Sequence, residues 1–291
     1  RGAPLARAVT FRWLQIGTSA RGQMAADADL PQTLSSSPID VVGRLVDSSN
    51  NALVVKVAGS VDGAEVTAVY KPAAGERPLW DFPDATLARR EVAAYLLMRH
   101  LGWDHVPLTV WRDEGPGGPG MIQSWIDGES ADQFINLFEP TAVPQGWLPI
   151  LEGRDAGNHP VVLAHSGSDQ LAKITAFDFI ANNADRKAGH LIVETSESGP
   201  HLWAIDHGIC FHIEDKLRTV LWGFVERPLP DWLVADVSAF VRGFESFRSE
   251  VSVHLAVDEV DAVLRRAQDL LRLGKFPSPT GEGPAVPWPI F

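Results

Sequence analysis

Cysteine is almost missing: Cys210 stands alone among 291 residues. A disulfide within the chain is impossible, and so is a zinc site built on several thiolates. Placed between Ile209 and Phe211, Cys210 reads as a small buried apolar residue, and the chain suits a reducing, cytoplasmic setting. Long apolar runs are missing too. None approaches the roughly 18 to 20 residues of a membrane helix, so no transmembrane segment is expected. Positive charge is scarce, with 25 Lys and Arg against 37 Asp and Glu, a net charge of −12. A broad nucleic-acid face needs clustered cations, so no nucleic-acid partner is expected, although a local basic patch stays compatible with this balance. There is no internal repeat and no His-Glu-x-x-His spacing. His190, His201, His207 and His212 cluster along the chain without a zinc-ligand pattern.

With 45% hydrophobic residues the chain has material for one large domain or two lobes sharing a cleft. Residues 1–38 carry scattered Arg and a polar, Ser- and Ala-rich stretch, without the apolar core of a signal peptide. They read as a mobile N-terminal extension. From Asp40 the pattern gives three antiparallel strands, at 40–47, 52–57 and 65–71, separated by the turn clusters Ser48–Asn51 and Gly59–Gly63. A helix follows over 86–101, with Leu87, Glu91, Ala94, Met98 and Leu101 in one row and Gly102 as its stop. Two further strands lie at 106–112 and 121–126, joined by the hairpin loop Gly115–Gly120. Residues 128–165 read as irregular with short helices, and 168–181 as a helix with Leu171, Ile174 and Phe177 inward. Short strands are expected at 190–194 and 201–206. Beyond Asp231 the chain reads as helical, most clearly over 257–273 before Gly274. Phe276 to Phe291, rich in Pro and Gly, reads as an irregular tail.

The expected fold class is therefore α+β: a small antiparallel β-rich lobe (39–126), a larger mainly helical lobe (127–276) and a tail (277–291). Ligands favour the cleft between such lobes.

Two segments carry the chemistry. In Asp178-Phe-Ile-Ala-Asn-Asn-Ala-Asp185-Arg186 and in Ala204-Ile-Asp206-His-Gly208, a carboxylate stands just beyond an apolar run. Asp185, in a loop beside Arg186 and Lys187, can orient or deprotonate an attacking hydroxyl. The adjacent cations can stabilise negative charge on a transferred phosphoryl group. Asp206, followed by His207-Gly208, suits a divalent metal ligand at a cleft floor, with Gly208 allowing a sharp turn. His190 is within reach as a second ligand. Asp178, on the side of Leu171 and Ile174, reads as a buried carboxylate serving the loop, and Asn183 as a residue ordering it. Alone, Lys71 would be a solvated strand-edge lysine. An inward Glu91 on the next helix makes it a candidate for holding nucleotide phosphates. Ser48, Ser49 and Asn50 offer turn amides and hydroxyls to phosphate oxygens, without any glycine fingerprint.

These residues resemble the phosphatidylinositol 3-/4-kinase-like branch of the protein-kinase-like superfamily, in particular a small actinobacterial group. Kinases of the HipA toxin type are more distant relatives. Asp-x4-Asn-x-Asp-Arg is matched by Asp178, Asn183, Asp185 and Arg186, the strand-end Asp-x-Gly by Asp206 to Gly208, and Gly75 to Pro83 also resembles that group. The resemblance covers residues 40–275. It implies a bilobal kinase fold, ATP in the cleft with Mg2+ or Mn2+, and a hydroxyl acceptor (protein, small molecule or lipid). It makes Asp185 the catalytic aspartate, Asp206 the metal ligand, Lys71 and Glu91 the nucleotide pair, and Gln123, Ser124 and Trp125 the hinge over the adenine. His190 departs from the Asn usual in eukaryotic members, which implies either a preference for manganese over magnesium or the loss of one metal. Lys216 and Arg218 are the only cations between Cys210 and Trp222, fewer than lipid-kinase members place there. The competing readings are a nucleotide-binding pseudokinase, a transferase of AMP and a metal-dependent hydrolase.

Overall fold

A computed structural model describes residues 29–45, 51–59, 65–280 and 283–291. Ser48, Ser49 and Asn50 lie outside them, as do residues 1–28 of the expected extension.

A five-stranded antiparallel sheet is formed by β1 (Ile39–Arg44), β2 (Leu53–Ala58), β3 (Glu65–Pro72), β4 (Thr109–Arg112) and β5 (Gly120–Ser124), in the order β1-β2-β3-β5-β4. Alternation along β3 sorts its side chains between two faces. Ala68 and Tyr70 join Leu34, Val55, Val57 and Ile122 in a buried cluster on one face. Lys71, next in sequence, is thereby turned to the other face. Helix α1 (Leu30–Ser36) closes the first face: Leu34 is fully buried, and Arg112 donates to the carbonyls of Leu34 (2.8 Å) and Ser37 (2.6 Å). The described end of the expected extension is thus packed against the sheet, because its one buried leucine completes an apolar face.

Helix α2 (Leu87–His100) covers the second face, with Leu87, Glu91, Ala94, Met98 and Leu101 all buried. Its first amides are capped from a distance. Glu76 accepts from Leu87 N (2.9 Å) and Ala88 N (2.7 Å), placing a carboxylate at the positive end of the helix. The apolar residues of α2 are continuous with the main core, which runs through Leu171, Ile174 and Phe177 to Val263 and Leu270. Each such buried side chain contributes roughly 1.5–3 kcal/mol relative to exposure.

The second half holds α3 (Asp169–Ala181), α4 (Asp231–Arg242), α5 (Phe244–Val251) and α6 (Val257–Leu273). It is less helical than expected. Short β6 (Glu129–Ser130) pairs with the hairpin β10 (Leu191–Ser196)–β11 (Gly199–Ala204). The stretch read as irregular with short helices forms a third sheet of β7 (Ile135–Phe138), β8 (Trp147–Arg154) and β9 (Pro160–Ser166), in the order β7-β9-β8. Pro149 and Pro160 masked this sheet in the sequence. In the structure Pro149 sits beside a bulge on edge strand β8 and Pro160 opens β9, two positions where a missing N–H is tolerated. The tail is irregular, as expected, yet tied down: Ala188 N donates to Ile290 O (2.9 Å) and Thr219 N to Ala285 O (3.1 Å).

Candidate active site

Because Lys71 faces α2, its ammonium meets the inward Glu91: Nζ lies 2.6 Å from Glu91 Oε1 and 3.0 Å from Asp206 Oδ1. Glu91 Oε2 accepts the backbone N–H of His207 at 2.9 Å. One buried carboxylate thus ties strand β3 to the segment after β11. Burial works against the charge on Lys71, but Asp206 and Glu91 outweigh it and hold the ammonium above its ordinary value. Burial pushes Glu91 up, opposed by Lys71. Asp206 is held far below the usual carboxylate range, foremost by Lys71.

Asp206 itself carries the sharp turn that was expected at Gly208. Its φ is +61°, a left-handed conformation that costs most side chains energy and that Asp tolerates better than most. Gly208 has no positive φ; a Cβ there would only touch Leu87, at 3.4 Å. The turn leaves the Asp206 side chain 44% exposed just beyond β11, with His190 Nε2 3.5 Å from its second oxygen. His190 is pushed down to about 4, chiefly by burial, so its ring is neutral at pH 7. Its Nδ1 has no hydrogen-bond partner among the described residues.

The loop after α3 is shaped by a sealed network. Ser168 caps the start of α3, and Asn182 ends it at φ +53°, its amide donating to the carbonyls of His212 and Glu214. Asp178 accepts from Asn183 Nδ2 (2.9 Å) and from Arg186 Nε and Nη2 (3.0 Å each, to different oxygens). Asn183 Oδ1 in turn accepts the N–H of Asp185 at 2.9 Å. Asp178 and Asn183 therefore order the loop, as their positions implied. Arg186 was expected to face a transferred phosphoryl group. It is instead fully buried, its remaining donors on Ile205 O (3.0 Å) and His207 Nε2 (2.7 Å). The guanidinium fork is spent on holding the loop against the Asp206 segment and has no face left for substrate. His207 is the residue that sequence reasoning passed over. Neutral and fully buried, it accepts from Arg186 and donates its backbone N–H to Glu91, joining both networks. Its place inside Asp-x-Gly was the only signal.

Asp185 stands outside the sealed network. Burial raises its pKa, and Lys187, with Nζ 3.0 Å away, opposes the rise. The charge of Asp206 adds to the rise. Among the hinge residues, Gln123 shares the Lys71 face, but its buried amide donates to Thr109 Oγ1 (2.8 Å). Ser124 N bonds Leu108 O and Trp125 N bonds Thr67 O, so these two cross the end of the sheet as backbone. Lys216 is engaged by Asp81 at 2.6 Å, with its ammonium 5.0 Å from the ring centre of the exposed Trp80. No helix among the described residues is long and apolar enough to cross a membrane.

The structure thus brings Lys71, Glu91, Asp206 and His190 into contact from both halves of the chain, while Arg186 bonds Asp178 and Gln123 bonds Thr109. No family model matches the sequence. Among solved structures, hydra Fam20, determined with sugar, superposes with a TM-score of 0.56 at 15% identity over 84% of this chain and 88% of that one. A Helicobacter pylori proinflammatory kinase, CtkA, gives a TM-score of 0.47 at 8% identity over 84% and 94% of the two chains. The likeness to the hydra protein is one of fold. In sequence, protein Rv2133c of Mycobacterium tuberculosis (strain ATCC 25618 / H37Rv) is 38% identical over 268 residues, spanning 89% of this chain and 94% of its own. Identity at that level across nearly the whole of both chains is kinship, and this chain belongs to the family of Rv2133c.

Proposed function

We propose that the chain is an ATP- and divalent-metal-dependent phosphotransferase of bilobal plan. It moves a γ-phosphoryl group to a hydroxyl on a protein, small-molecule or lipid acceptor, in the manner its phosphatidylinositol 3-/4-kinase-like motifs imply. The observation that supports this reading is the run of contacts from Glu91 through Lys71 to Asp206, at 2.6 and 3.0 Å, joining residues 135 positions apart. Ion pairs at such separations are costly to assemble and desolvate, and a site for a polyanion and its counter-cation repays that cost.

Lys71, braced by Glu91, would take nucleotide phosphate oxygens. Ser48, Ser49 and Asn50 would border the phosphates, and Ser124 and Trp125 the base, with Gln123 supporting that segment through Thr109. The donor set fits a divalent ion: Asp206 offers an ionised, half-open carboxylate, and His190 a neutral imidazole, which favours manganese over magnesium. When bound, the ion would neutralise charge on the phosphate oxygens. Asp185 is the base. As the acceptor oxygen bonds to the γ-phosphorus, its proton passes to the Asp185 carboxylate, and the broken P–O bond leaves its electron pair on ADP. The raised pKa of Asp185 improves it as a proton acceptor, and Lys187 keeps it ionised. Arg186 is a positioning residue, acting through the loop it holds.

A second reading, nucleotide binding without transfer, draws on His190 standing where an Asn is usual. One set of measurements separates the two. ATP with manganese is expected to raise the thermal midpoint of the wild type and not of Lys71→Ala. Asp185→Ala should keep the ATP shift and lose transfer by about 10²–10⁴-fold. Undiminished transfer by Asp185→Ala would overturn the role given to that residue. ATP binding with no transfer to acceptor or water, under either metal, would decide for the second reading. The mass of the product tells added phosphate from added AMP.

A further inference from the structure

Away from the Lys71–Asp206 cluster, the connection between α2 and β4 lies against β11. Ala204 N donates to His105 O at 2.7 Å, and His105 Nδ1 lies 2.8 Å from Leu202 O. A carbonyl oxygen only accepts, so Nδ1 carries the ring proton and Nε2 carries the lone pair. That Nε2 is buried and has no hydrogen-bond partner among the described residues, on a side chain only 3% exposed. It points to Asp104, whose Oδ1 is 3.9 Å away and whose side chain is 77% exposed. His201, on β11, stacks on His105 with ring centres 5.1 Å apart and bonds Asp104 O through Nε2 at 3.1 Å. One ligand atom from each of Asp104, His105 and His201 lies within 4.8 Å of the others.

We infer that Asp104, His105 and His201 form a binding site for a zinc-class divalent transition metal. Two imidazoles and a carboxylate are the donors such ions prefer. Three protein ligands leave a further position for water. A separation of 3.9 Å between Nε2 and the carboxylate oxygen accommodates an ion about 2.0–2.2 Å from each. The bond from Nδ1 to a backbone carbonyl is the support that metal-ligating histidines carry, and it presents Nε2 in the ligating tautomer. The uncompensated nitrogen is the observation that packing alone leaves without purpose: burying a lone pair with no donor is costly, and an ion satisfies it. Lys173 adds a positive charge felt at His105, and its ammonium lies over the Trp232 ring. Occupancy would clamp residues 104–105 to β11, two residues before Asp206.

The test uses tag-free full-length chain, stripped with chelator and titrated with Zn2+ by calorimetry and with Co2+ by visible absorption. One equivalent per chain with a tetrahedral Co2+ band is expected, with a thermal midpoint raised by a few degrees at saturation. His105→Ala removes a buried ring and risks the fold, so the decisive variants are Asp104→Ala and His201→Ala. Each should weaken Zn2+ at least about tenfold and erase the Co2+ band. The double variant Asp206→Asn/His190→Ala should keep both signals. Retention of the band in Asp104→Ala and His201→Ala, or its loss in the double variant, would overturn the assignment, as would absence of Zn2+ binding by the wild type.

Discussion

Two ionic clusters meet around the loop that follows α3, built from the same kinds of side chain, one fully buried and the other open to solvent at Asp206. In one, Asp178 and Arg186 are both fully buried, and the oxygens and guanidinium nitrogens are spent on each other, on Asn183, on Ile205 O and on His207. In the other, Lys71 spans Glu91 and a half-open Asp206, which also faces His190. The Asp178–Arg186 pair has nothing left to offer a ligand and holds the loop that carries Asp185 against the Asp206 segment. The open cluster holds a cation between two carboxylates on the edge of solvent, an arrangement that an incoming anion and its metal can rearrange. The residue types do not distinguish the two; the full burial and mutual hydrogen bonding of Asp178 and Arg186 do.

The comparison breaks most visibly at Asp178. Asp178→Ala strands the Arg186 charge in the core, and denaturant unfolding should show a loss of about 3–5 kcal/mol. A loss below about 1 kcal/mol would mean that the closed cluster does not hold the loop. Asp206→Asn should do the reverse. Asn accepts the positive φ of that position, and Lys71 keeps Glu91, so stability should move by less than about 1 kcal/mol. Manganese-dependent nucleotide binding should be lost with it, as read by thermal shift with and without metal. Global unfolding of Asp206→Asn would erase the distinction between a holding and a binding cluster.

The smallest effect tests burial with no carboxylate to compensate. His254 packs toward Trp111, and its pKa is depressed to about 4 by burial and then by Arg89. The unfolded chain takes up this proton near 6.5 and the folded chain near 4. Its contribution is therefore complete above pH 6.5 and lost as pH falls toward 4. The thermal midpoint should fall less steeply over that window in His254→Gln than in wild type. Identical slopes would show that the ring is not kept neutral by the fold.

Much of this was legible beforehand. Period-two alternation gave the five strands of the first sheet. The row Leu87–Glu91–Ala94–Met98–Leu101 gave the buried face of α2, including the inward carboxylate, and Ser168 and Gly274 marked the ends of α3 and α6. The β7-β9-β8 sheet was not legible, because proline and glycine interrupt its alternation and its pairing is settled by distant partners. The role of Arg186 was misread for a related reason. An Asp-Arg step states that a cation is near the base, and only packing around Asp178 states which way it points.

What the sequence determined by itself is local: where backbone periodicity and caps make strands and helices, and which carboxylates and cations stand at their ends. What the tertiary structure alone decided is which of those groups meet. His201 was grouped along the chain with His190, His207 and His212, yet its ring stacks on His105, 96 residues upstream. Lys71 likewise finds Asp206 across 135 positions. Hydrogen bonds and ion pairs act over a few ångströms, and proximity at that range is a property of the folded core rather than of spacing along the chain.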